Sequence, residues 1–187
     1  TAYERLKQHL AVTNVTRAMH YVFQVAEVDE KILEKFNVDT RGVVTKSATG
    51  WVDTFDGDGI HSDEWGIKRK LSDSGYLDII SGPFQQQFDT EIMDRFKWPD
   101  GKDPGRVSGM RERVMKLKQE TDYAVILYVF GGFTAISMFL RGFEGWFMDL
   151  VTREPLLSEL LDHTLKFHMD STEAALEAVG TDVDIVA

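Results

Sequence analysis

The feature that most constrains this chain is a run of eighteen uncharged residues from Tyr123 to Leu140. Such a run fits a membrane span, a glycine-rich phosphate loop, or a buried strand that leads into a buried helix. The pair Gly131 and Gly132 interrupts it, whereas a bilayer span needs about 20 apolar residues. The Lys-Ser/Thr pair of a Walker-type phosphate loop does not follow the glycines. The run therefore predicts a strand, "YAVILYVF", buried on both faces as in a parallel sheet, and then a helix.

Charge and composition narrow the class of protein. The chain carries 21 Lys and Arg against 31 Asp and Glu, a net charge of −10. Such a field repels phosphate, and the short basic stretch "IKRK" does not reverse it, so we expect no nucleic-acid partner. There is no cysteine, so thiolate metal ligands cannot come from this chain. The stretch "TAYERLKQHL" lacks the apolar block of an export signal, and we expect a cytoplasmic protein without a membrane association.

Strands and helices alternate in the order expected of a parallel β/α protein. A long amphipathic helix is predicted to begin at Pro155 and to end at Gly180, and "VDIV" after it predicts a strand. We expect this strand and "YAVILYVF" to be parallel neighbours joined by a right-handed crossover. Upstream, "VAEVDEKILEKF" predicts an amphipathic helix and "RGVV" a short strand. In the irregular tract that follows, "DEWGIKRKL" and "GYLDIISGPF" predict strands of a hairpin.

Three segments, in this order, resemble the uroporphyrinogen decarboxylase superfamily, which joins the decarboxylase of haem synthesis to corrinoid-dependent methyltransferases. They are "FQVAEVDEKILEKFNVDTRGV", "VFGGFTAISMFLRGFEGWFMDL" and "VDIVA". The resemblance implies an α/β fold, a (β/α)8 TIM barrel whose site lies at the carboxyl ends of the strands. Such a barrel takes about 250 residues, so we expect only its N-terminal half to two-thirds here.

The expected partial barrel is a single domain, residues 1–187. It would comprise N-terminal helices and a first strand region (1–40), an irregular excursion (41–104) and β/α repeats (105–187). Because half a barrel leaves strand edges and apolar faces uncovered, we expect the chain to form a homodimer, to bind its missing C-terminal half or another partner, or to aggregate.

The resemblance also implies three site residues outside the uncharged run. Asp39 corresponds to the aspartate that holds the pyrrole nitrogens in the decarboxylases, so it is the candidate catalytic residue. Arg41 would clamp a substrate carboxylate or phosphate. The segment "DEWG" occurs in the methyltransferase-like proteins, which makes Trp65 a candidate wall of the pocket mouth. The alternatives are an aspartate that caps a turn, a surface arginine and a tryptophan that packs in the core.

Within the run, the candidate substrate-binding residues are Gly131, Gly132, Phe133 and Thr134. Glycines at the carboxyl end of a parallel strand would leave space for a ligand beside the N-terminus of the next helix. We expect Asp39 and Arg41 to lie on the same rim, at the end of an earlier strand. A tight turn without a ligand is the alternative.

Two departures separate the chain from true decarboxylases. Met138 stands where they carry a tyrosine, and a thioether cannot replace the hydrogen-bonding phenol. The N-terminus also lacks their Arg-rich motif for propionate groups. The resemblance then implies methyl transfer between a methylated substrate or corrinoid protein and a thiol or other acceptor. Uroporphyrinogen decarboxylation, which needs no cofactor, and a non-catalytic or split-barrel subunit are the alternatives.

The methyltransferase-like branch implies zinc and a corrinoid. No metal ligands are identified in this chain, so the zinc ligands are expected outside it. The corrinoid would be a substrate or the cofactor of a partner protein. The implied ligands are thus a small molecule or a tetrapyrrole, and the implied protein partner is a corrinoid protein.

Overall fold

The structure, a computed structural model, describes residues 2–16, 18–20, 25–73, 75–129 and 132–187. A three-stranded parallel sheet has the order β3-β8-β9 and is formed by β3 (Thr40–Val44), β8 (Ala124–Tyr128) and β9 (Ile185–Val186). In the register, Val44 lies opposite Tyr128, and β8 runs parallel to β9. The prediction that "YAVILYVF" and "VDIV" provide neighbouring parallel strands is therefore confirmed.

A second sheet is antiparallel and connects its strands in sequence order, β4-β5-β6-β7. The strands are β4 (Thr54–Phe55), β5 (Ile60–Ser62), β6 (Lys68–Leu71) and β7 (Leu77–Ser81). Aspartates hold two of its turns: Asp56 accepts from the amides of Asp58 and Ile60, and Asp63 accepts from those of Trp65 and Ile67. The predicted hairpin is thus present, as β6 and β7.

The remaining elements are helices and one short antiparallel pair. The pair is β1 (Ala18–His20) with β2 (Val25–Ala26), and residues 104–107 form a 3-10 turn. The predicted helix in "VAEVDEKILEKF" is shorter than its apolar pattern, because Asp29 caps it and it begins at Glu30. The helices are α1 (Ala2–His9), α2 (Glu30–Lys35), α3 (Thr90–Arg95), α4 (Met110–Glu120), α5 (Phe133–Arg141), α6 (Phe143–Thr152) and α7 (Pro155–Val179).

The predicted (β/α)8 barrel, and with it the partial barrel, is wrong. Over the described residues the fold is mixed α/β, with separate parallel and antiparallel sheets and no repeating strand-helix order of a barrel. The physical reason lies between β3 and β8, where residues 45–73 and 75–123 form an antiparallel sheet, a 3-10 turn and two helices. Short strands joined by tight turns pair with each other locally, so this segment does not supply a simple crossover helix.

The parallel sheet is fully packed on one face only. In β8, Val125 and Leu127 are completely buried, whereas Ile126 and Tyr128 are half-buried. The buried face packs against α4 and the C-terminal turns of α7. The expectation that both faces of this strand are buried is therefore wrong for the described residues, and the burial alternates along the strand.

Helix α7 connects two hydrophobic cores. Its 25 residues span about 37 Å at 1.5 Å per residue. Near its start, Leu157 and Leu160 pack in one core with Trp65 and Ile67, which lie in the turn between β5 and β6 of the antiparallel sheet. Near its end, Ala175 and Val179 pack against the parallel sheet. The antiparallel sheet therefore packs near the start of α7, and the parallel sheet packs near its end.

Gly82 and Gly101 allow their own loops to contact the backbone of a helix directly. A Cβ added at Gly82 would lie 2.1 Å from the carbonyl oxygen of Phe139 on α5. A Cβ at Gly101 would lie 2.5 Å from the carbonyl oxygen of Phe167 on α7. Since real Cβ atoms do not approach a backbone oxygen this closely, both positions require glycine for space.

A buried ion pair joins the antiparallel sheet to the segment before α4. Arg106 is 4% exposed, and its two terminal nitrogens donate to the two carboxylate oxygens of Glu64 at 3.0 and 2.6 Å. Its Nε donates to the carbonyl of Asp100 at 2.7 Å, and its guanidinium carbon lies 4.7 Å from the ring centre of Phe167. The pair is bidentate and largely shielded from water.

We expect Arg106→Met to lower the free energy of unfolding by about 3–5 kcal/mol, because it leaves the Glu64 carboxylate without its partner in a shielded position. Urea denaturation measures the change. Arg95→Met is the matched control, since Arg95 pairs with the exposed Glu91 and its loss should have no measurable effect. Equal denaturation midpoints for the two variants would contradict this role of Arg106.

A second expectation concerns His168 on α7, whose buried Nε2 has no hydrogen-bond partner among the described residues. Burial lowers the pKa of His168 below its ordinary value of 6.5. Between the two values the unfolded chain binds more protons than the folded one, so stability rises as the pH increases towards 6.5 and is lost as it falls. We expect His168→Gln to show a weaker pH dependence in this window. Urea denaturation from about pH 5 to about pH 8 tests it, and identical slopes for both proteins would exclude His168 as the source.

Candidate functional site

An open concavity lies at the carboxyl end of β3, where the chain leaves the parallel sheet. We call it the sheet-edge concavity; its volume is about 610 Å³. It is lined by one loop that follows β3 and by the 3-10 turn before α4. The described lining residues are Lys46, Ser47, Ala48, Thr49, Gly50, Trp51, Pro104, Gly105 and Ser108.

Thr49 and Asp103 fasten the two walls of the concavity together. One carboxylate oxygen of Asp103 accepts from the amide and the hydroxyl of Thr49, at 2.6 and 2.7 Å, and from the amide of Gly105 at 2.8 Å. The hydrogen bond from the Thr49 side chain, followed by that from its amide, holds the pKa of Asp103 below its usual value. A Cβ on Gly105 would lie 2.5 Å from the Thr49 nitrogen, so the walls touch through their backbones.

Trp51 is held in a defined orientation at the rim. Its indole N–H donates to one carboxylate oxygen of Asp53 at 2.8 Å, and the other oxygen lies 2.9 Å from Nε2 of the buried His61. The Trp51 side chain remains 39% exposed. Because its polar edge is already bonded, the exposed part of the ring is an apolar surface that a ligand can stack on.

Lys46 supplies the positive charge of the concavity. Its backbone amide donates to the carbonyl of Arg106 at 2.8 Å, which fixes where the residue leaves the sheet. Its side chain is exposed. The described lining residues therefore combine an ammonium group, hydroxyl groups and an aromatic ring, and include no carboxylate or imidazole. This set can bind and orient an anion, but it offers no paired acid and base.

The predicted residues after β8 lie at the same edge of the sheet, because β8 runs parallel to β3 and Tyr128 pairs with Val44. Gly132 precedes α5, and Phe133 and Thr134 are exposed in its first turn. Gly131 lies outside the described residues. The nearest atom to a Cβ added at Gly132 would be that of Ala135 at 3.5 Å, so the space beside it is open.

Gly132 nevertheless needs glycine for its conformation. Its φ is +157° with a ψ of 49°, a combination that L side chains rarely adopt. A valine at this position would be strained whether or not a ligand binds there. Substitution of Gly132 therefore cannot separate a ligand-binding role from a structural one.

Asp39 and Arg41 are at the opposite end of the sheet. Asp39 immediately precedes β3, and its carbonyl accepts from the amide of Ala124, the first residue of β8. The side chain of Asp39 is exposed. The expectation that Asp39 and Arg41 share a rim with Gly132 is therefore wrong, because the parallel strands put the two groups at opposite ends.

The guanidinium of Arg41 is already engaged by the protein. It is 6% exposed, pairs with Glu30 on α2, donates to the carbonyls of Val38 and Thr40, and stacks 3.8 Å from the ring centre of Tyr123. The hydrogen bond to Glu30 raises the pKa of Arg41 above its usual value. Arg41 thus fixes α2 to the start of the sheet.

Trp65 also has a packing role in the structure. It is 5% exposed and lies in the core of the antiparallel sheet, edge-on to Phe167 at a centroid distance of 4.7 Å. It does not line the sheet-edge concavity among the described residues.

The sequence contained a usable signal for the residues that were missed. "TKSATGW" directly follows the predicted strand "RGVV", and polar residues after a parallel strand meet at its carboxyl end. Lys46, Thr49 and Trp51 belong to this stretch. The glycines of the uncharged run predict a site at the neighbouring strand instead.

We expect Thr49→Val to raise the pKa of Asp103 towards its ordinary value of 3.8, because the variant loses the hydroxyl that stabilises the carboxylate. The carboxyl carbon resonance of Asp103, followed by NMR against pH, measures this. Thr54→Val, on β4, is the control and should leave the Asp103 titration unchanged. An unchanged titration in Thr49→Val would show that the backbone amides alone set the pKa of Asp103.

Comparisons with protein-family models, with curated proteins and with solved structures give no match for this chain. None of the helices in the described ranges is both long enough and apolar enough to cross a membrane. Among the described residues, no three His, Asp or Glu side chains are grouped so that they could hold a metal ion. The geometry of the sheet-edge concavity is therefore the basis for a functional proposal.

Proposed function

We propose that this chain binds a small anionic substrate in the sheet-edge concavity and takes part in methyl transfer similar to that of the corrinoid-dependent methyltransferases. The observation that carries the proposal is the grouping of an exposed lysine, hydroxyl groups and a fixed indole ring at the carboxyl end of a parallel strand. Ligands of open α/β sheets bind at this end of the strands. The resemblance in sequence supplies the reaction class.

The groups in the concavity suit the binding of a carboxylate or phosphate. Lys46 offers a charge-assisted hydrogen bond, and Ser47 and Ser108 offer hydroxyl donors. Trp51 would cover an apolar part of the same ligand. Because Asp103 fixes the loop through Thr49, these groups are already in place before a ligand binds, which lowers the entropy cost of binding.

Methyl transfer needs little acid-base catalysis, but it needs the donor and the acceptor to be accurately aligned. The donor and the acceptor must be held in line, and positioning alone can supply much of the rate acceleration. A site that holds the anionic end of an acceptor meets this demand without a paired acid and base. The described lining residues fit that role.

The decarboxylase alternative is less well supported by the same residues. A tetrapyrrole with several carboxylates calls for several basic side chains, whereas Lys46 is the one base among the described lining residues. Arg41 is bound to Glu30 at the opposite end of the sheet. Met138, at the position of the decarboxylase tyrosine, packs against the core.

The described residues do not fit a zinc site, since the chain has no cysteine and they contain no suitable group of ligands. We therefore assign no step to zinc. In this proposal the zinc ligands and the corrinoid come from elsewhere, the latter as a substrate or on a partner protein. The chain itself binds and orients the acceptor.

The test is isothermal titration calorimetry with mercaptoacetate, a small thiol that carries a carboxylate. We expect Lys46→Met to weaken binding by about 10- to 100-fold, because a charge-assisted hydrogen bond contributes about 1.5–3 kcal/mol. Lys68→Met is the matched control, since Lys68 is exposed on β6, away from the concavity, and should bind as the wild type does. Absence of binding by the wild type would refute the proposal.

A second measurement separates the enzyme from a non-catalytic subunit. Methylcobalamin and mercaptoacetate are added to the protein, and loss of the methyl group to the thiol is followed by the corrinoid absorbance. Methyl transfer that depends on Lys46 supports the enzymatic role. Binding of mercaptoacetate without methyl transfer would favour the non-catalytic alternative.

A further inference from the structure

Helix α6 carries an apolar stripe on its solvent side. Phe143, Phe147, Leu150 and Val151 follow the spacing i, i+4, i+7 and i+8, which places them on one face of a helix. Each is between 50% and 77% exposed, and the adjacent Met148 is 57% exposed. In a surface helix such a stripe normally faces the core.

The opposite side of α6 is already anchored. Trp146 is buried, and its indole N–H donates to the hydroxyl of Ser137 on α5 at 3.0 Å. Asp149 accepts from Nε of Arg141 at 2.6 Å. Trp146 and Asp149 therefore join the inner side of α6 to α5, and the stripe keeps half or more of its side-chain surface exposed.

From this stripe we infer that α6 is a self-association surface, on which a second copy of this chain docks with its own α6. The inference does not depend on the ligand or reaction proposed above. The two helices would pack antiparallel about a two-fold axis, so that each stripe covers the other. Phe147, at the centre of the stripe, would lie close to the axis.

The area of the stripe agrees with what a dimer needs. From the exposed fractions, the five side chains present roughly 500 Å² of apolar surface. On a typical monomer the largest apolar patch has an area of about 300–600 Å², so this stripe is near the upper end of that range. Two copies would together bury roughly 1,000 Å², the lower limit for a specific interface.

The α6 stripe offers two copies of this acidic chain an uncharged place to meet, and the absence of basic residues from α6 argues against a lipid surface. The chain has a net charge of −10, so two copies repel each other unless they meet through an uncharged patch. The centre of the α6 stripe is such a patch, and Glu144 lies at its margin. A lipid surface would call for Lys or Arg beside the apolar face, and α6 contains neither.

Sedimentation equilibrium of the full chain, over concentrations on the order of 1 to 100 µM, tests the inference. We expect a monomer-dimer equilibrium for the wild type. Phe147→Glu should raise its dissociation constant by about 100-fold, because each dimer would then bury two unpaired carboxylates. Leu71→Glu, at a comparably exposed position on β6, should leave it unchanged. Circular dichroism checks that both variants are folded.

Cross-linking gives an independent readout, because the chain has no native cysteine. Phe147→Cys should form a disulfide-linked dimer on mild oxidation, since two copies of this position meet near the axis. Leu71→Cys should not. The inference is overturned if the wild type is monomeric throughout, if Phe147→Glu dimerises as the wild type does, or if the two cysteine variants cross-link equally.

Discussion

The arrangement of the whole chain depends on the ion pair between Arg106 and Glu64. Glu64 belongs to a turn of the antiparallel sheet, Arg106 precedes α4, and the guanidinium rests on Phe167 of α7. Three segments that are distant in sequence therefore meet at one side chain. A charge at this depth is tolerated because Glu64 and the carbonyl of Asp100 together satisfy its donors.

The same arginine sets the geometry of the candidate site. Its carbonyl accepts from the amide of Lys46, so the loop that follows β3 is positioned by the segment that holds the ion pair. Asp103, three residues earlier, binds Thr49 of that loop. Packing in the interior and placement of the proposed ligand-binding groups are thus two effects of one short segment, residues 103–106.

Local patterns in the sequence predicted several elements correctly. The strand in "YAVILYVF" and the long helix from Pro155 follow from β-branched composition and from helical spacing bounded by Pro and Gly. These signals are local, because residues close in sequence are enough to determine whether each segment forms a strand or a helix. The parallel pairing of β8 with β9 followed from their shared apolar character.

Local sequence patterns did not predict how the sheets and helices are arranged relative to each other. The strands and turns between β3 and β8 pair locally, but the position of the resulting antiparallel sheet against the helices depends on contacts such as that of Arg106 with Glu64, which no local pattern encodes. Asp39 shows a second limit: it was assigned to the end of a strand, although "RGVV" after it already predicted that the strand begins there. Lys46 and Trp51 lie beyond the carboxyl end of that strand, and the same pattern predicts their position.

The close contacts at Gly82, Gly101 and Gly105 have a consequence for the evolution of this chain. At each, an added Cβ would lie 2.1 to 2.5 Å from backbone atoms of another segment, and backbone cannot yield as a side chain can. Natural variation should therefore be suppressed at these three positions even in relatives that have lost the ligand. Conservation of Gly82 and Gly101 would record the packing of these segments on α5 and α7, whereas conservation of Gly105 would record the contact between the two walls of the concavity.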